Sequence, residues 1–351
     1  MSFSDLAVLS MGSHQRLNEV LPFALEGIKH EVFTLENGVP DIRGRRVLIA
    51  ESCGEWGIEG DYIKLLLHLR QHRDALSGCI GGIIIDGTSE LYTKELGRKL
   101  IYAANEAGCF FPGKPLAEAT GSLLNYNILS QNLNTDNLSA YKHAARALAE
   151  RIAAFRPAKF KRPRILMLHA SDRSTSNTLA LGLAVCEQIK PYCDITEISL
   201  LNARINDCRG CGYHACSHFG KQNLCYYGDI VADDVYPALL ECDALLMLCP
   251  NYNDTLSAKL IAFINRLTAL AISNSFENKY LFGIVVSGYS GGDLVAMQLL
   301  GSLCLNKSFM LPPSFSMAVT AHEPGSALKS RGIEKRISAF ADNMIKQLVY
   351  Q

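Results

Sequence analysis

Ser171, Arg173, Ser174, Ser176, Asn177 and Thr178 fall in one short stretch between an apolar run, Ile165 to Leu168, and a helical pattern that starts near Thr175. Hydroxyls, an amide and a guanidinium are the donors that hold an anion. The first N–H groups of a helix have no internal partners, and the helix dipole favours negative charge there. A strand that enters a helix through such a loop therefore builds an anion site. The loop has neither Gly nor Lys, so it is not a Walker A loop or a GxGxxG turn. A phosphate monoester held by hydroxyls and amides fits it; so does an ordinary helix cap rich in Ser and Thr. A second group is Cys208-x2-Cys211-x4-Cys216-x8-Cys225, with His214 and His218 inside it. Four soft ligands opened by a CxxC pair suit a [4Fe–4S] cluster or structural zinc, with Cys208, Cys211, Cys216 and Cys225 as ligands. Free or redox-paired thiols are the alternative. No GxSxG elbow or HExxH motif occurs and the nine His are scattered, so no nucleophilic triad is expected.

The elements that must position these groups alternate. After residue 163, strands are expected at 164–169, 194–200, 243–249, 280–287 and 315–320. Helices are expected at 176–189, 230–241, 256–273, 292–303 and 332–349. Short apolar strands separated by helices argue a doubly wound parallel sheet buried on both faces. Ligands bind such sheets beyond the carboxyl ends of the strands. Three loops lie there, 170–178, 250–255 and 287–293, and all carry small polar residues, Gly or Pro. Asp293 is placed to cap the helix that follows the third. Cys186, Cys193, Cys242 and Cys304 fall in strand or helix patterns and read as small buried apolar residues.

A basic, Pro-containing segment, RPAKFKRP at 156–163, separates this half from an earlier one. There, strands are expected at 5–10, 31–35, 46–51, 80–86 and 114–119, and helices at 15–28, 61–77, 91–107 and 139–155. CIGGIIIDG at 79–87 lies over CDALLMLCP at 242–250, and HEVFTLENGVPDIRG at 30–44 over ITEISLLNARINDCRG at 195–210. The fold class is α/β: two doubly wound domains, 1–155 and 163–351, with parallel five-stranded sheets, arisen by tandem duplication. The anion loop is not duplicated. The corresponding turns are SMGSHQ and ESCGEWGIEG, and Glu51, Glu55 and Glu59 in the second would repel a phosphate. The first domain is thus expected to keep the scaffold without a cofactor. Trp56, the single Trp, is expected to pack, or else to stack on the partner domain's cofactor.

Lys plus Arg equal Asp plus Glu at 34 each, which gives no electrostatic pull toward nucleic acid or an anionic membrane. No apolar run nears the roughly 20 residues of a spanning helix. The N-terminus lacks a basic start and long apolar core, so no signal peptide is expected. Twelve Cys in a chain of this size point to a reducing cytoplasm.

Taken together, the three C-terminal loops resemble the NADPH-dependent FMN reductase family of flavodoxin-like proteins. In HASDRSTSNT, Ser171, Arg173, Asn177 and Thr178 match that family's phosphate loop, while Ala170 and Asp172 replace its usual Gly and Pro. CPNYNDTLSAKLIAFINR at 249–266 resembles its Ser-Pro-x-Tyr segment and the helix after it, through Pro250, Tyr252, Ser257, Phe263 and Arg266. Cys249 stands where the family has Ser. SGYSGGD at 287–293 resembles its Gly-rich loop. The resemblance covers roughly 163–349. It implies FMN held by Ser171, Arg173, Ser176, Asn177 and Thr178 at the phosphate. Pro250, Asn251, Tyr252, Asn253, Ser287, Gly288, Gly291 and Gly292 would frame the ring. The glycines permit close backbone approach to a flat ring, and flavin supplies the hydride chemistry, so no protein acid or base is expected. Tyr252 as a packed loop aromatic is the alternative to a ring contact.

The activity implied is an NAD(P)H-dependent FMN oxidoreductase that reduces a small acceptor such as a quinone, a nitro compound or a flavin. Relatives form dimers in which the second subunit lines the flavin, which implies a homodimer or, through the duplication, a pseudo-dimer in cis. Two rivals stand beside it. One is an iron–sulfur flavoprotein that passes electrons to a protein partner, with the cluster on the Cys loop. The other is a regulatory module in which any flavin is vestigial.

Overall fold

The computed structural model describes residues 5–12, 14–57 and 59–350. Ser13 of the SMGSHQ turn and Ile58 of the ESCGEWGIEG turn lie outside them. The chain divides into two compact units, Met1–Arg156 and Pro157–Gln351.

The first unit runs β1 (Leu6–Met11), α1 (Gln15–Leu25), β2 (His30–Phe33), β3 (Arg46–Cys53), α2 (Gly60–Gln71), β4 (Ile80–Gly87), α3 (Thr93–Glu106), β5 (Leu116–Ala119), α4 (Asn127–Leu133) and α5 (Asn137–Ala154). Its sheet is parallel in the order β2-β1-β3-β4-β5. The second unit runs β6 (Arg164–His169), α6 (Asn177–Ile189), β7 (Asp194–Ser199), α7 (Tyr213–Gly220), α8 (Tyr236–Glu241), β8 (Ala244–Pro250), α9 (Ala258–Leu270), β9 (Tyr280–Ser287), α10 (Gly292–Leu299), β10 (Ser316–Thr320) and α11 (Ile333–Leu348). Its sheet is also parallel, in the order β7-β6-β8-β9-β10. Both are the flavodoxin-like doubly wound order. The central strands β4, β8 and β9 are buried along almost their whole length, because helices cover both sheet faces; their unbroken apolar runs follow from that.

Several elements differ from expectation. Helices α4 and α7 have no counterpart in the sequence reading; both are short and depend on packing more than on periodicity. The helix expected at 61–77 stops at Gln71, and that at 256–273 spans Ala258–Leu270. A π-helical turn, Val231–Val235, leads into α8, and another, Leu300–Leu305, prolongs α10.

The internal repeat is shifted from the expected overlay by one strand. Residues 79–87 hold β4, fourth in its sheet order, whereas 242–250 hold β8, third in its own. Sheet position pairs β4 with β9. Local geometry agrees: Ile80 bridges Phe110 as Tyr280 bridges Met310, and Lys114 and Ser314 both take left-handed backbone, each pair 200 positions apart. The same Pro-containing bend delivers β5 and β10: Ile83 N donates to Pro115 O and Gly283 N to Phe315 O. Neighbouring buried strands share one apolar pattern, so composition alone does not tell third from fourth. The overlay of β2 on β7 agrees with their equivalent edge positions.

Candidate functional site

Loops 170–176, 251–257 and 288–291 follow the carboxyl ends of β6, β8 and β9. Between β7-β6 and β8-β9 the sheet order reverses, and that switch point is where doubly wound sheets hold ligands.

The first loop carries a carboxylate of its own, Asp172, and meets a second, Glu197, from β7. Ser171 is buried and its Oγ has no partner. Its N–H donates to His169 Nδ1 at 3.2 Å. Ser176 is the N-cap of α6, its Oγ accepting from Leu179 N–H at 3.1 Å. Thr178 is buried in the first helical turn. Arg173 Nη2 lies 2.5 Å from Glu197 Oε1, and the same oxygen is 3.1 Å from His169 Nε2. Asp172 Oδ1 accepts from Ser174 N–H at 2.8 Å and from Ser174 Oγ at 2.5 Å. Those hydrogen bonds to Ser174, side chain before backbone, hold the Asp172 carboxyl below its usual range.

Asn177, expected to hold the phosphate, uses its side chain on the segment after β10. Its Nδ2 donates to Glu323 O at 2.8 Å, and its Oδ1 accepts from Ala327 N–H at 3.2 Å. This side chain fastens the segment after β10 to the start of α6. Asn177→Ala strands the N–H of fully buried Ala327, and its expected cost is about 1–3 kcal/mol. A lower melting temperature with faster amide exchange at Ala327 is the check.

Loops 251–257 and 288–291 are joined by Asn251. Its N–H donates to Val286 O at 2.8 Å, and its Nδ2 lies 3.0 Å from Ser287 Oγ and 2.9 Å from Ser290 O. Asn253 and Asp254 both take positive φ, and Tyr252 and Thr255 exchange backbone hydrogen bonds across them, a tight turn that carries Tyr252 outward. Tyr252 is 56% exposed and is not a packed loop aromatic. Gly291, with φ of 81°, allows the two loops to close: a Cβ there would lie 2.0 Å from Asp254 Oδ1. The N-cap of α10 is Gly291, and Asp293 makes no capping bond, contrary to expectation. The glycine's left-handed turn enters the helix two residues earlier than a cap at Asp293 requires. Tyr289 stacks on His322 at 4.9 Å, and Gly288 lies against the same imidazole. The segment after β10 thus touches loop one through Asn177 and loop three through His322. Pro250 ends β8, and Ser287 and Gly292 are placed at the end of β9 and the start of α10.

Sequence reasoning missed Glu197, His169, Tyr289 and His322. Glu197 lies beside Met167 in the register of β7 on β6, and only that pairing brings it to the loop.

The four-cysteine loop is held by Arg266, whose guanidinium donates to Asp229 Oδ2 and Tyr227 O. Cys208 and Cys211 are exposed, Cys216 lies on α7, Cys225 follows it, and all four are free thiols. Burial, then Cys225, Cys208 and Cys211, raises the Cys216 thiol above its ordinary value. Among the described residues no three or more His, Cys, Asp or Glu are placed to hold a metal ion, so the geometry lends no support to a cluster or zinc here. Buried Cys249 is likewise pushed up by desolvation alone.

The matching place in the first unit is filled by its own charges. Buried Asp86 pairs with His14 Nδ1 at 2.6 Å and Arg16 Nε at 2.8 Å. Arg16 also donates to the carbonyls of Gly87 and Gly121. Glu59 accepts from Gly54 N–H at 3.0 Å. Trp56, expected to pack, is 75% exposed in the turn beyond β3.

No helix among the described residues is long and apolar enough to cross a membrane. No curated protein matches the chain. Among solved structures, RosB with bound 8-demethyl-8-formylriboflavin-5'-phosphate is 15% identical, with 54% of this chain and 82% of that one covered and a TM-score of 0.40. An NAD(P)H:quinone oxidoreductase from Methanothermobacter marburgensis is 12% identical, with 53% and 98% covered and a TM-score of 0.38. An FMN-dependent NADH-azoreductase from Bacillus anthracis in complex with FMN is 13% identical, with 52% and 99% covered and a TM-score of 0.33. Residues 163–323 match the profile described as NADPH-dependent FMN reductase. The matched residues, which carry the three loops, thus fit the NADPH-dependent FMN reductase family model and support an NAD(P)H-dependent flavin oxidoreductase.

Proposed function

We propose that the unit Pro157–Gln351 binds FMN across loops 170–176, 251–257 and 288–291 and reduces a small acceptor of the quinone, nitro or flavin class. The buried, unpartnered Ser171 Oγ at the switch point, beside the N-terminus of α6, carries this reading. Bound FMN would accept a hydride from NAD(P)H and pass it on. This chain's residues bind and orient. Ser171, Ser174, Thr175 and the first N–H groups of α6 hold the phosphate. Arg173, drawn back to Glu197, is the cation within reach. Asn251 keeps the two ring loops at fixed spacing, and Gly288 and Gly291 admit the ring edge between backbone segments. Asn177 acts one step removed, by fixing the segment after β10.

The first unit keeps the fold without the cofactor: the Asp86 carboxylate, held by His14 and Arg16, stands at the turn after β1, where a phosphate would need donors, and Glu59 stands in the turn after β3 that matches the loop after β8. Titration of flavin-free protein with FMN, followed by flavin fluorescence, checks both statements. One FMN per chain is expected, together with NAD(P)H oxidation when a quinone is added. Two per chain would reject the assignment of the first unit; none for any flavin would reject the site.

A further inference from the structure

We propose that Asp172 sets the specificity of the phosphate loop, because its carboxylate occupies the place of the flavin phosphate and makes FMN a loosely held, exchangeable ligand. This rests on the FMN reading above and goes beyond it.

A phosphate seated at the α6 N-terminus would draw on the Ser174 N–H, the Ser174 hydroxyl and the Thr175 hydroxyl. Asp172 Oδ1 takes all three, at 2.8, 2.5 and 3.4 Å. The loop's one cation is equally committed, since Arg173 lies on Glu197. Asp172, Arg173 and Glu197 together supply two carboxylates and one guanidinium, and the guanidinium pairs with Glu197. His169, held by Glu197 from the strand side, and exposed Glu323 and His322 on the neighbouring segment are the other titratable groups at hand. Ser171 Oγ, buried and unpartnered, is a side-chain donor of this loop that Asp172 does not take. A phosphate must displace the Asp172 carboxylate and then sit near it. A neutral flavin, which lacks the phosphate, meets neither cost.

Asp172 also shapes an Asx turn, and the two roles separate experimentally. Asp172→Asn keeps an acceptor for the Ser174 N–H but removes the charge; Asp172→Ala removes both. The probes are FMN and riboflavin, titrated against the full chain by fluorescence quenching. Asp172→Asn is expected to lower the FMN Kd at least about tenfold, the scale of a close like-charge contact in a partly hydrated site. Asp172→Ala should tighten FMN as well, and riboflavin should bind all three proteins alike. FMN affinity unchanged or weakened in Asp172→Asn overturns the inference and leaves Asp172 as a turn former. Equal tightening of both flavins overturns it too, because the effect would then lie on the ring. If neither flavin binds the wild-type chain, the reading of the site itself fails, a distinguishable result.

Discussion

Arg266→Ala is expected to lower the stability of the second unit by about 3–5 kcal/mol, the cost of leaving a buried charge without its partner. The side chains of Arg266 and Asp229 are 1% and 3% exposed. Asp229 has further duties: Oδ2 accepts from Asn206 N–H at 2.7 Å, and Oδ1 from Val231 N–H at 2.9 Å. One guanidinium thus ties α9 to both ends of the cysteine loop and to the π turn ahead of α8. Without it, the carboxylate keeps two N–H donors but no countercharge. Segment 201–229 should become the first site of proteolysis. The denaturant midpoint of the full chain, with mapping of the earliest cleavage, measures both effects. A double variant, Arg266→Met with Asp229→Leu, should recover part of the loss, since well-packed apolar pairs often replace buried ion pairs without penalty. If Arg266→Ala costs less than about 1 kcal/mol, the size expected of an exposed pair, the ion pair does not hold the loop.

Glu51 gives the second large effect, with a sign set by pH. It lies on β3 fully buried, and neither carboxylate oxygen has a partner. Burial first, then the charges of Glu59 and Asp61, raises its pKa from 4.5 to about 8. Cys53 on the same strand and Tyr62 on α2 are the other titratable groups around it, and Glu51 in turn raises both of theirs. The folded chain keeps this proton up to about pH 8, whereas the unfolded chain releases it near pH 4.5. The folded state therefore binds more protons in that window, and stability falls as pH rises through it. At pH 7 the separation corresponds to about 3 kcal/mol, at about 1.4 kcal/mol per unit. Glu51→Gln should stabilise the first unit by that order at pH 7, by little at pH 4.5, and flatten the slope between. Amide exchange of β3 and β4 at pH 5 and pH 8 reads the difference unit by unit. A wild-type slope that persists in Glu51→Gln would assign it to other groups.

Much of this was legible in the chain. β6 and β9 fall within a residue of the expected strands, because a strand covered on both faces must be an unbroken apolar run; β10, at the sheet edge, does so with alternating burial. Ser176 announces the start of α6, and the three loops could be placed at strand ends from their position in the alternation alone. The short helix α7 was not legible, since its eight residues have no stripe long enough to read. The register of the repeat was not legible either, because β8 and β9 share one buried pattern.

The sequence by itself determined the parallel α/β fold, its duplication and which loops face the switch point, since these follow from local periodicity and the end of each strand. Only the tertiary structure decided what the loop residues do. Glu197 reaches Arg173 through the pairing of β7 on β6, and Asn177 is bound to a carbonyl 146 residues away. Asp172 closes on its own loop as an internal anion. A side chain's composition lists the bonds it can make; the partners that long-range packing brings within 3 Å select the ones it does make.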